Sequence, residues 1–100
     1  MTGDAPKVVD AAAVAAAVAA APGWRQAEDG ALVFEHEFAS VAEAVGFLVS
    51  VALHAERHGH HPETAWTYRD VALRLITHDA GDRVTQRDLA LLEDLAALSR

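Results

Sequence analysis

His60 and His61 stand side by side ahead of Pro62, with Glu56 just upstream and His78 further along the chain. Four of the six histidines fall between His54 and His61, and imidazole, with an unperturbed pKa of about 6.5, is the side chain best suited to moving protons near neutral pH. Proline pushes the residue before it toward an extended backbone, so the pair is held at a corner. A third imidazole arriving from the end of a neighbouring strand would complete a pocket of proton donors and acceptors. Such a pocket needs neither a metal nor a nucleophile. It suits elimination or addition of water, with one imidazole protonating a departing hydroxyl while another group takes a proton elsewhere.

Other readings attach to the same residues. His54 and His58, one helical turn apart, could form a metal-binding pair with His60 or His61 as third ligand. However, His54-Ala55-Glu56-Arg57-His58 is not the His-Glu-x-x-His motif of zinc proteases, because its glutamate comes one place too late. Asp88 could equally be a carboxylate that complements a helix start, and Glu56 a solvated helix residue. His36 reads as a core or edge histidine, and Trp66 and Tyr68 as sheet packing.

The elements that must position these groups follow from patterning. Asp10 stands where an N-cap would, ahead of the alanine run that Pro22-Gly23 closes, which predicts a first helix over 10–21. The strands predicted over 24–28 and 31–38 flank Asp29-Gly30, a dipeptide typical of a two-residue hairpin turn. Leu32, Phe34, His36 and Phe38 share one face of the second strand, and Val33, Glu35 and Glu37 the other. Ser40-Val41-Ala42-Glu43 is a capping box opening a long helix that ends at Gly59. Val41, Val45, Leu48, Val49 and Ala52 form its expected buried stripe. Alternation returns over 63–68 and 71–78 around an Arg69-Asp70 turn, with Val71, Leu73, Leu75 and Thr77 on one face. Thr85 then caps a last helix with Asp88 at its third position and Leu91, Leu92, Leu95 and Leu98 on its apolar flank. The order α-β-β-α-β-β-α predicts an α+β fold, one four-stranded antiparallel sheet with three helices packed on one face.

The chain has 100 residues, 52% of them apolar, which fits a single domain with about the first seven residues disordered. A core of this size gives modest stability, which oligomerisation would raise. The net charge of -7 argues against nucleic acid, whose binding rests on basic residues neutralising phosphates. The alanine run from Ala11 to Ala21 is too short and too weakly apolar to span a membrane. It also lacks the basic flank of a signal peptide. With no cysteine there is no disulfide framework or thiolate site, which fits a reducing, cytoplasmic compartment.

The spaced set Glu56-x3-His60-His61-Pro62, Tyr68, Thr77-His78 and Asp88 ahead of a leucine-rich helix resembles the pterin-4a-carbinolamine dehydratase family. The likeness runs from about Trp24 to the C-terminus and includes Gly23-Trp24 and Val51-Ala52-Leu53-His54-Ala55-Glu56. The resemblance implies removal of water from 4a-hydroxytetrahydropterin to give quinonoid dihydropterin, which recycles the cofactor of aromatic amino acid hydroxylases. It implies that His60 and His78 are acid catalysts on the 4a-hydroxyl and that His61 binds and orients the pterin. Asp88 joins this catalytic set and, with Glu56, orients or tunes the imidazoles. Glu56, Gly59, His60, His61, Pro62, Thr77, His78 and Asp79 would form the substrate pocket. No cofactor or metal is implied, the pterin being the substrate, and the expected assembly is a homodimer or homotetramer. One departure is that the passage from Thr77-His78-Asp79-Ala80-Gly81 to the last helix is a residue longer than usual. The remaining alternatives are a non-enzymatic dimeric binding module on the same fold and a histidine metal site.

Overall fold

Caps and turns delimit the elements. In the computed structural model, which describes residues 6–98, helix α1 (Ala11–Ala19) opens on Asp10, whose carboxylate accepts the Ala13 N–H at 2.8 Å. Strands β1 (Trp24–Gln26) and β2 (Leu32–Glu37) follow. Helix α2 (Val41–His58) starts at Ser40, whose hydroxyl accepts the Glu43 N–H at 3.1 Å, while the Glu43 carboxylate reaches back to the Ala39 N–H at 3.2 Å. The expected capping box is therefore present, with its return bond one residue earlier than usual. Strands β3 (Glu63–Thr67) and β4 (Asp70–Leu75), a 3-10 turn (His78–Ala80) and helix α3 (Gln86–Leu98) complete the chain.

The four strands form one antiparallel sheet in the order β1-β2-β4-β3. Its inner face carries Trp24, Leu32, Phe34, Val71, Leu73 and Leu75, which pack with Val14 of α1, Phe47 and Val51 of α2, and Leu91, Leu92 and Leu95 of α3. The α+β fold and its element order are those expected. Between the helices and the sheet, Phe47 stacks at a tilt on Phe34 and Phe38, with ring centroids 5.6 and 5.0 Å apart. The outer face is polar and laced with exposed pairs such as Arg25–Glu35 at 2.7 Å, which contribute little to stability.

Several local expectations are corrected. The first hairpin closes through a loop of 28–30 rather than a two-residue turn. Ala27 and Ala31 still pair (N–H to O, 2.8 Å), Asp29 accepts the Ala31 N–H at 3.1 Å, and Gly30 takes a φ of 96°. That carboxylate bond favours the longer loop by holding its own backbone. The second turn is Tyr68-Arg69 rather than Arg69-Asp70, since Thr67 pairs with Asp70. Tyr68 accordingly adopts a left-handed φ of 54°, with the Trp66 indole N–H donating to its carbonyl at 2.5 Å. Trp66 and Tyr68 are not sheet packing: both are exposed, Tyr68 at 77%.

On α2 the expected buried stripe is the exposed one. Val41, Val45, Val49 and Ala52 face outward and only Leu48 is half-buried, whereas Ala44, Phe47, Val51 and Ala55 are buried. The helix has two apolar flanks, and the sheet takes the one where small alanines permit close approach. Of the N-terminal stretch, residues 1–5 lie outside those described. Lys7 is tied to the fold, its carbonyl accepting the Gln86 N–H at 3.0 Å.

Candidate active site

The sheet register brings the histidines together. Glu63, the first residue of β3, pairs with Arg74 near the end of β4. The residues just before β3 and just after β4 must therefore be neighbours, and these are His60-His61-Pro62 and Ile76-Thr77-His78. Gly59 makes the sharp exit from α2 possible. It lies in the left-handed region (φ 60°, ψ 29°) and its N–H caps the last carbonyls of the helix, a conformation glycine adopts without a side-chain penalty.

Gly59, His60, His61, Ile76, Thr77, His78, Asp79 and Arg87 line one open cavity of about 250 Å³. All three expected imidazoles are on its wall, and each is bonded to a carboxylate. His60 Nε2 lies 2.5 Å from Asp88 Oδ1, His61 Nε2 lies 2.8 Å from Glu56 Oε2, and His78 Nδ1 lies 2.6 Å from Asp82 Oδ1. The three environments differ. The His60 side chain is 12% exposed and its carboxylate fully buried, whereas His61 and His78 are exposed, at 59% and 68%. The Asp82 carboxylate, with Glu63 further off at 3.7 Å, raises the His78 pKa above its ordinary value of 6.5.

Not every residue assigned to the pocket meets it. Asp88 lies behind His60, where Oδ2 accepts the Thr85 N–H at 2.9 Å and the Thr77 hydroxyl at 2.7 Å. It is at once the helix-start carboxylate and the partner of His60. Glu56 stands outside the cavity and holds His61, and Pro62 sets the backbone without lining it. Thr77 borders the cavity, but its hydroxyl points to Asp88. Arg87, Asp82 and Glu63 were missed from sequence. Only Asp82 left a local signal there, at one helical turn's spacing from His78, and it falls in the lengthened passage before α3.

The metal reading required His54 and His58 to meet His60 or His61. Instead, His58 Nε2 lies 2.6 Å and His54 Nδ1 3.8 Å from Asp94 Oδ2 on α3. Among the described residues, no three histidine, cysteine or carboxylate side chains are grouped to hold a metal ion. A larger depression of about 430 Å³ lies on the outer sheet face. Its lining includes Glu35, Glu37 and Asp70 but a single histidine, His36, so it lacks converging imidazoles. No described helix is long and apolar enough to cross a membrane.

The chain is similar to known proteins in sequence and in fold. A protein of Nitrobacter winogradskyi, provisionally named a pterin-4-alpha-carbinolamine dehydratase, is 46% identical over 80 residues, covering 79% of this chain and 78% of that protein. The crystal structure of a transcriptional coactivator/pterin dehydratase from Brucella melitensis superposes with a TM-score of 0.84 at 27% identity, covering 94% of this chain and all of that one. A pterin dehydratase-like protein identified as a RuBisCO assembly factor in the alpha-carboxysome superposes at 0.62 with 25% identity, over 77% of this chain and 89% of its own. The sequence profile described as Pterin 4 alpha carbinolamine dehydratase matches residues 7–98, and the chain belongs to that family of hydro-lyases.

Proposed function

We propose that this protein dehydrates 4a-hydroxytetrahydropterin to quinonoid dihydropterin, in the cytoplasm, as the step that returns the spent cofactor of an aromatic amino acid hydroxylase. The observation that carries this reading is the convergence of His60, His61 and His78 on one cavity, each with its own carboxylate. In the reaction the C4a–O bond breaks as a protonated imidazole gives its proton to the hydroxyl, which leaves as water. Loss of the proton on the neighbouring ring nitrogen N5 to a base completes the C4a–N5 double bond. Neither step changes oxidation state, so the protein need supply only proton transfer and positioning.

His60 and His78 are assigned to acid catalysis at the 4a-hydroxyl and His61 to binding and orienting the pterin. Gly59 and Asp79 shape the wall, Pro62 holds the corner, and Glu56 orients His61. The raised pKa of His78 supports its role, since it keeps more of the ring in the proton-donating form near neutral pH. The decisive assay follows dehydration of chemically generated 4a-carbinolamine with and without chelator. Acceleration that survives chelation is expected, with turnover reduced about a hundredfold or more in His60→Ala and in His78→Ala, the usual scale of a general acid. Wild-type rates in both folded variants would reject the assignment.

A second reading draws on the exposed apolar flank of α2, with Val49 at 55% and Leu53 at 58% exposure. It is a dimeric binding module without catalysis; a pterin dehydratase-like protein identified as a RuBisCO assembly factor shares the fold. Retained self-association without acceleration of the dehydration would favour it. The same flank supports assembly of the enzyme as a homodimer or homotetramer.

A further inference from the structure

The Asp88 carboxylate is completely buried, and so is Thr85, while Thr77 is 3% exposed. Their hydrogen bonds form a single chain. An ionised carboxylate only accepts, so the Thr77 hydroxyl, 2.7 Å from Asp88 Oδ2, must give its proton there. The Thr77 oxygen, 2.7 Å from the Thr85 oxygen, is then left to accept the Thr85 hydroxyl proton. Thr85 Oγ1 in turn accepts the Arg87 N–H at 3.3 Å. At the other end, Asp88 Oδ1 takes His60 Nε2 at 2.5 Å.

We propose that Thr85 is a positioning residue for His60, acting through Thr77 and Asp88. This rests on the dehydratase reading of the site. With Oδ2 tied to the Thr85 N–H and the Thr77 hydroxyl, the carboxylate cannot rotate, so Oδ1 is fixed as acceptor for His60. That sets the neutral His60 ring as the Nε2–H tautomer and leaves Nδ1 to take up the proton that the charged ring then gives to a bound substrate. Thr85 does not line the cavity, so it acts on the imidazole without touching the pterin. Its backbone is held from outside as well, where the N-terminal segment pairs Val8 with Thr85 and the Val9 N–H meets the Val84 carbonyl at 3.1 Å.

The test uses Thr85→Val, which removes the hydroxyl at nearly constant shape, and Thr85→Ser, which restores it. Two readouts are taken, steady-state kinetics and the long-range ¹H–¹⁵N spectrum of the His60 ring. Wild-type protein is expected to show the Nε2–H pattern. Thr85→Val should lower kcat about fivefold, the scale of one neutral hydrogen bond, with KM within about twofold and the ring pattern shifted toward a tautomer mixture. Thr85→Ser should return both. An Nδ1–H tautomer in the wild type would overturn the proposal even if the Val variant failed to fold. So would a folded Thr85→Val with unchanged kcat and ring pattern, or a serine variant as impaired as the valine one. Because the ring spectrum needs no turnover, a wild type inactive on pterin but showing the Nε2–H pattern, lost in Thr85→Val and regained in Thr85→Ser, would sink the dehydratase reading and leave the positioning role standing.

Discussion

Asp88 meets two demands with one carboxylate, since it satisfies the amide at the start of α3 and fixes the ring of His60. The two roles separate in Asp88→Asn, which keeps shape and some capping but loses the acceptor-only oxygens. The expected result is kcat down about ten- to hundredfold, the range for losing a partner that orients a functional histidine, with a stability loss of about 1–3 kcal/mol. A folded variant with normal kcat would reduce Asp88 to a helix cap. His78 makes a separate prediction through pH. Its folded pKa lies above the unfolded value near 6.5, chiefly because Asp82 bonds the ring. The protonated ring therefore favours the folded state, a contribution fully present below about pH 6.5 and lost as pH rises through the raised folded value. Asp82→Asn should move the His78 titration, followed by NMR, downward. If His78 donates the proton, the alkaline limb of the rate profile must move to lower pH with it. An unmoved titration would mean that Asp82 is not the cause.

At the scale of elements, the caps are the most local devices, and their removal should cost what local bonds cost. Ser40→Ala deletes the hydroxyl that accepts the Glu43 N–H and is expected to destabilise by about 1 kcal/mol. That lowers the melting midpoint by about 4–8 °C in a chain of this size. Turnover should stay unchanged, because Ser40 lies at the far end of α2 from the histidines; a large loss of kcat would show that α2 transmits its starting position to the corner. The caps at Asp10, Ser40 and Gly59 were legible in the sequence for the same reason, since each is decided by residues within one helical turn. The turns and the buried face of α2 were not. Val41, Val45 and Val49 recur at the same helical spacing as Phe47, Val51 and Ala55, and only the sheet lying against one flank distinguishes them. The three histidines could be gathered from sequence because hairpin order makes the start of β3 and the end of β4 neighbours. Arg87 and Glu63 could not, because their approach depends on register and on how α3 enters the corner; Thr85 was legible as the cap of α3, but not its hydroxyl bond to Thr77.

For the molecule as a whole, the unclaimed flank of α2 is the main surface left to explain. Val41, Val45, Val49 and Leu53, four residues apart in succession, form a continuous apolar row on a chain with net charge -7. Rows at this spacing are the ridges that interlock when two helices cross, and an isologous pairing sets the same row against its own copy. Such a contact would bury apolar surface that a small core otherwise leaves in water, each side chain contributing about 1.5–3 kcal/mol when fully covered. Val49→Lys and Leu53→Lys are the informative changes, because both positions are exposed in the single chain and so should not disturb its fold. Light scattering after size exclusion is expected to find an oligomer for the unaltered protein and a smaller species for the double variant, with circular dichroism unchanged. Since no α2 flank residue lines the histidine cavity, any fall in turnover on dissociation would mean that assembly supports the site. A monomeric unaltered protein, or a double variant of undiminished mass, would leave this row without the partner assigned to it.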